Sequence, residues 1–242
     1  WKANGSGSSN TDGTINTTKT SANTTSGFSI NTFEGTGAIA TVGHGLGAAP
    51  TVLIVKKTSQ GANWGIGSVH IDNWTDYLTF TTGANSDDAN FWNDAAPTST
   101  VFSIGSSGNI NTDDEDHVAY CFTPIQGFSK FGTFEGNSNA AGPFVYCGFR
   151  PAFVMIKDID NSGNSWLISD NKRNPFNVAD DRLFADLDNA ENQPSDSGGI
   201  DFVSNGFKVR TNDGSTNASG TRIFMAFAES PFVNSNGIPN NA

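Results

Sequence analysis

The phrase GFSINTFEG begins at Gly27, and GFSKFGTFEG begins at Gly127. Two stretches that repeat one another so closely have to serve the same local structure, and other matches keep the same order along the chain. Pro50 of AAPTVLIVKK matches Pro151 of FRPAFVMIKD, and Lys56 matches Lys157, each 101 residues on. Trp64 in GANWGI matches Trp166 in GNSWLI at 102, and Phe102 in VFSIG matches Phe207 in GFKVR at 105. Phe122, ending HVAYCF, matches Phe227, ending RIFMAF, again at 105. Ordered anchors with a slowly growing offset point to a tandem duplication. On this reading residues 27–126 are repeat 1, residues 127–232 are repeat 2, residues 1–26 are a linker or arm, and residues 233–242 are an irregular tail. The arm is rich in Gly, Ser, Thr and Asn, a composition that favours a flexible segment. Trp1, which is not an initiator Met, fits the end of a preceding copy in a longer polypeptide.

Each repeat is about the size of one β-sandwich domain. Helix-forming residues are scarce, while aromatic and β-branched residues alternate with Gly, Asn and Ser, which favours strands and turns. The expected fold is all-β with almost no helix: two tandem duplicated antiparallel β-sandwich domains of jelly-roll-like form. Strands are expected near 28–33, 38–42, 51–57, 63–67, 77–81, 99–104 and 117–123, then near 128–134, 143–148, 152–158, 165–169, 200–203, 206–210 and 221–228. TVLIV, AFVMI and RIFMAF are apolar on both faces. Such runs call for cover on two sides, from the other repeat, from another chain or from long loops. The second phrase carries one extra residue, which would reverse the side-chain faces of a straight strand; a bulge near Phe131 and Gly132 is expected to absorb it.

The formal net charge is −11. That opposes nucleic-acid binding, where phosphate neutralisation supplies most of the affinity, and it opposes adhesion to anionic membranes. No apolar stretch approaches the length of a membrane-spanning helix. Cys121 and Cys147 both lie in apolar runs and read as free buried thiols, with a single bridge as the alternative.

Local catalytic signatures are missing from the sequence. His44, His70 and His117 form no HxH or HxxxH pair. GHGLG around His44 lacks the spacing of a phosphate-binding loop, and no GxSxG elbow occurs. DIDNSGNSW, from Asp158, has a partial calcium-loop pattern with Ser169 at the twelfth position, and reads better as a hairpin turn. The densest acidic run is DDED. Its Asp113, Asp114 and Asp116 are the candidate calcium ligands, Ca²⁺ being the one cofactor the sequence suggests. For ligand binding, IDNWTDY and ANFWND set aromatic rings among Asn and Asp, an arrangement suited to stacking a sugar and bonding its hydroxyls. Trp74, Tyr77 and Trp92 are therefore the candidate glycan-binding residues, against the alternative that they fill the core.

Taken together, NTDGTI…SANTTSGFSI, TVGHGLGAAP, VAYCF, GPFVYCGFRPAFVMIK, DNKRNPFNV and MAFAESPF resemble a repeat domain of unknown function. That domain occurs in tail-fibre and other virion structural proteins of marine tailed bacteriophages. The resemblance runs from about Trp1 to Phe232 and brings no catalytic motif with it. It implies a non-enzymatic virion structural protein, a tail fibre or receptor-binding appendage, with a carbohydrate-binding module or a capsid-surface decoration as alternatives. The implied partners are other virion proteins, further copies of the chain with a trimer favoured, and a host surface glycan. The implied location is the outside of the virion.

Overall fold

The computed structural model describes residues 2–191 and 199–231. Trp1 and the tail assigned to residues 233–242 lie outside the described residues. The chain divides into two compact units, one made of residues 1–80 and 85–124, the other of residues 81–84 and 125–242.

Unit 1 contains β1 (Lys19–Asn23), β2 (Phe28–Glu34), β3 (Ala40–Gly43), β4 (Val52–Lys57), β5 (Gly65–Ser68), β6 (Asp76–Tyr77), β7 (Ser86–Asp87), helix α1 (Ala89–Trp92), β8 (Val101–Ile104) and β9 (Asp116–Phe122). Its main sheet runs β1-β2-β9-β4-β5, with β3–β8 and β6–β7 as smaller ladders, and every strand pair is antiparallel. Leu53, Val55, Ala119 and Cys121 of the main sheet share one core with Val42, Phe102 and Ile104 of β3–β8. Val52, Leu53, Ile54 and Val55 are consecutive and all buried, so β4 is covered on both faces and its unbroken apolar run follows.

Unit 2 contains β10 (Ser129–Gly136), β11 (Phe144–Tyr146), β12 (Pro151–Asp158), β13 (Leu167–Asp170), β14 (Leu183–Phe184), β15 (Ile200–Val203), β16 (Gly206–Val209), helix α2 (Gly214–Asn217) and β17 (Gly220–Ala228). The main sheet runs β10-β17-β12-β13-β14 and the smaller one β11-β16-β15. Val154, Ile156, Phe224 and Ala226 share a core with Val145, Phe202, Phe207 and Val209. The order β2-β9-β4-β5 in unit 1 has its counterpart in β10-β17-β12-β13, and the pair β3–β8 in β11–β16.

Two expectations are corrected. Residues 1–26 are not a loose arm. Residues 19–23 are strand β1, paired along its length with β2, and Ile15 bridges to Val42 with its side chain in the core. Thr17 and Ser21 are buried as well. Hydroxyl residues are acceptable at a sheet edge, so a polar composition did not exclude a strand. Nor does β10 carry a bulge near Phe131 and Gly132. Its register against β17 is unbroken from Ser129↔Phe227 to Gly136↔Gly220. The Thr123 N–H donates to the Gly27 carbonyl, as the Ala228 N–H does to the Phe128 carbonyl. Phe128 therefore occupies the place of Gly27, and the extra residue lies in the turn ahead of the strand. The register irregularity that does occur sits between Pro151 and Phe153, where β12 meets β17.

Each unit is braced by one buried asparagine. Asn111 Oδ1 accepts the Thr36 N–H at 2.8 Å, and its Nδ2 donates to the carbonyls of Ala38 and Gly105, both at 2.7 Å. Asn217 does the same at corresponding positions, accepting from the Asn137 N–H at 2.9 Å and donating to Asn139 and Thr211, both at 2.7 Å. The backbone follows suit: the Gly37 N–H donates to the Asn111 carbonyl and the Ser138 N–H to the Asn217 carbonyl. Gly37 and Ser138 both take left-handed conformations, with φ of 62° and 54°. The loop after the first sandwich strand is thereby tied to the chain just before the last one. Replacing Asn111 or Asn217 with Ala removes three side-chain hydrogen bonds to the backbone. The expected cost is about 3 kcal/mol, read as a lower urea midpoint at unchanged slope.

Candidate functional site

The fold takes Trp74 and Trp92 into the core of unit 1, where they are 2% and 0% exposed. Helix α1 is responsible for Trp92. Asp88 caps it by accepting the Asn90 N–H, and Asn93 ends it in a left-handed conformation, so its single turn drives Phe91 and Trp92 inward. Trp74 meets Trp92 edge to face with ring centroids 6.1 Å apart. Gly67 of β5 lies beneath both rings: a Cβ there would come within 2.5 Å of Trp92 and 2.9 Å of Trp74. Tyr77 is half-buried and stacks flat on Phe91 at 3.6 Å. Neither indole offers a face to a sugar, and the expectation of a glycan platform at Trp74, Tyr77 and Trp92 is corrected to an aromatic core. The Asn and Asp neighbours that suggested sugar binding serve turns and caps instead.

The acidic run lies in the turn before β9. Asp113, Asp114 and Asp116 are exposed. Asp114 has a φ of 55°, and its N–H donates to the Gly35 carbonyl. Among the described residues, no three His, Cys, Asp or Glu side chains converge as a metal-binding group. The turn spreads its carboxylates toward solvent, so the candidate calcium cage is not assembled. Asp116 instead lines a cleft of about 360 Å³ with Thr18, Lys19, Thr32, Thr58 and His117. This cleft offers hydroxyls, one ammonium and one carboxylate to a polar ligand.

His117 has no free ring nitrogen to act as a base. Its Nδ1 lies 2.8 Å from the Glu115 carbonyl and its Nε2 accepts the Thr112 N–H at 3.3 Å, which fixes a neutral tautomer with the proton on Nδ1. Its ring stacks on Phe33 at 5.3 Å. His44 is held in the opposite sense, with Nδ1 accepting the Leu46 N–H and Nε2 facing the Thr98 carbonyl, both at 3.2 Å. Burial lowers the pKa of both imidazoles below the ordinary 6.5, outweighing the carbonyl bonds that favour the charged form.

Unit 2 holds a cluster of buried charged groups. Asp158 and Arg222 are both fully buried, with Oδ2 and Nη2 3.1 Å apart. Asp158 Oδ1 also accepts the N–H groups of Asp160 and Asn161, each at 3.0 Å, which makes the DIDNSG stretch a turn. Arg222 donates in addition to the Gly214 carbonyl at 3.0 Å. Lys157, fully buried, donates to the Asn164 carbonyl, and burial pulls its pKa down. Sequence reading passed over Asn111, Asn217 and Arg222, because one polar letter in a strand or loop does not show that it is buried. Cys121 and Cys147 are both free and buried, and desolvation pushes each thiol up to about 12.

A family model described as "Domain of unknown function (DUF7483)" matches residues 1–231. The chain belongs to that family. The match takes in β1 and the segment before it together with both units, so the family model extends over more than either repeat as read from the sequence. No curated protein and no solved structure matches the chain.

Trp92→Ala is expected to cost about 3–5 kcal/mol, as the loss of a large core side chain does, with chemical denaturation as the measurement. Acid should act through the two imidazoles. Their folded pKa values lie below the unfolded 6.5, so the unfolded chain binds more protons as the pH falls through that value. The histidine contribution to stability is complete above about pH 6.5 and declines below it. Thermal melts from pH 7.5 to 5 should show a plateau and then a fall, and His44→Gln with His117→Gln should flatten that fall.

Proposed function

We propose that the chain is a non-enzymatic structural protein of a bacteriophage virion, part of a tail-fibre or receptor-binding appendage, and that its two units descend from a tandem duplication. The observation that carries this reading is the equivalence of the units: the same four-strand order and the same asparagine brace at corresponding positions. Repeated scaffolds of this kind suit an appendage, where stable frames carry variable loops and many copies act together. The engagement of buried ionisable groups supports a shape-holding role. His44, His117, Lys157 and Asp158 direct their polar atoms at neighbours within their own unit, and Arg222 is held through Nη2 by Asp158 and the Gly214 carbonyl. The virion assignment rests on the phrases from NTDGTI to MAFAESPF. The partners on this reading are other virion proteins and further copies of the chain.

The test is location. Gold-labelled antibody against the chain, followed by electron cryomicroscopy of particles from a phage that encodes it, should mark a tail appendage. Label on the capsid shell instead would replace the fibre with a decoration protein. Purified particles that lack the chain altogether would sink both versions.

A further inference from the structure

Strand β11 is the outer edge of the smaller sheet of unit 2, and among the described residues it lacks the cover that its counterpart has in unit 1. In unit 1 that edge is β3. The Thr41 N–H donates to Thr14 Oγ1 at 2.8 Å, the Ile15 N–H donates to the Thr41 carbonyl at 3.0 Å, and Ile15 bridges to Val42. Residues 14 and 15 thus close the edge from within the same chain. Among the described residues, no segment ahead of β10 plays this part in unit 2, since only residues 123–128 separate β9 from β10.

The open edge has a definite polarity. The Val209 N–H donates to the Pro143 carbonyl, and the Cys147 N–H to the Asn205 carbonyl. Pro143, Val145 and Cys147 therefore address β16, and alternation turns the backbone groups of Phe144 and Tyr146 outward. The Tyr146 carbonyl accepts Lys130 Nζ at 2.9 Å and keeps a second lone pair. Phe144 is 48% exposed and Tyr146 58%. β11 itself carries no charged side chain, and its pairing with β16 has no bulge. Lys130 of β10 lies at one end of this edge, its Nζ 5.1 Å from the Tyr146 ring centroid, but β11 itself has no proline, charge or bulge to prevent pairing.

We propose that β11 pairs antiparallel with β11 of a second copy of this chain about a two-fold axis at Val145. The arrangement is self-complementary. Phe144 faces Tyr146 of the partner copy, and each such pair exchanges two backbone hydrogen bonds. The same register sets an aromatic ring opposite an aromatic ring on the exposed face, a favourable cross-strand pair. Two three-stranded sheets become one six-stranded sheet. This inference is independent of the virion reading, because it rests on the edge alone.

Sedimentation velocity of the whole chain from about 1 to 500 µM, a range suited to a weak contact, should show a monomer passing to a dimer. Backbone amides of Phe144 and Tyr146 should exchange more slowly as the concentration rises. Tyr146→Lys should weaken the dimer at least tenfold while leaving the far-ultraviolet circular dichroism unchanged. Ile39→Lys, at another exposed position (68%) on unit 1, should leave dimerisation as it was. The proposal is overturned by a monomer throughout that range, by a trimer, or by a dimer indifferent to Tyr146→Lys. It is equally overturned if the chain stays monomeric and binds saccharides on a glycan array through Tyr146, which would make the aromatic pair a sugar platform.

Discussion

The fold depends on a side chain that forms no strand. Asn111 in one unit and Asn217 in the other each use a carbonyl and an amide nitrogen on three backbone groups, two from one loop and one from a second segment. Backbone polar groups in a loop that leaves one sheet for another need partners as much as those in a sheet do. An apolar residue at either position would remove all three of these bonds and release the loop. The left-handed residue that follows the first strand and the backbone bond that holds it are consequences of the same brace. With that loop fixed, the strands on either side can lie in different sheets and still enclose a single core.

The long central strands were legible because they carry a periodic or unbroken apolar pattern between turn residues. Phe28–Glu34, Val52–Lys57 and Gly220–Ala228 all fall close to their expected places. Strand β1 was not legible: KTSAN buries one serine and no large apolar group, and its stability comes from pairing with β2. Helix α1 was missed because a four-residue turn is too short to show a period, and its only signals are Asp88 and Asn93 at the ends. The candidate site was less legible than the fold. Trp74 and Trp92 sit among Asn and Asp in the sequence, yet those polar neighbours cap and turn the chain while the rings go inward. Burial is a property of the third dimension, and tryptophan tells little about it without the glycine that receives it. Gly67 was that signal, a small residue in β5 exactly where two indoles need room.

The charged interior of unit 2 differs from that of unit 1 at corresponding positions. On the strand paired with the first sandwich strand, His117 lies opposite Phe33, and Arg222 lies opposite Phe134. The imidazole satisfies both nitrogens with backbone and stays neutral, which avoids the cost of burying a charge. The guanidinium keeps its charge and is supported by Asp158, a pair whose desolvation largely cancels its attraction. The same frame thus tolerates two different electrostatic solutions. What it preserves is the geometry of the ladder.

The position of the added residue, ahead of Phe128 and not within β10, says where this architecture can grow. Side-chain alternation gives every strand a parity, and a single residue inserted inside one would send Phe134 to solvent and Thr133 to the core. A turn has no parity to defend. Chain length can therefore differ between strands while the strands themselves keep their count, and a peptide tag or a foreign loop would be better received ahead of Phe128, in the turn, than anywhere within β10.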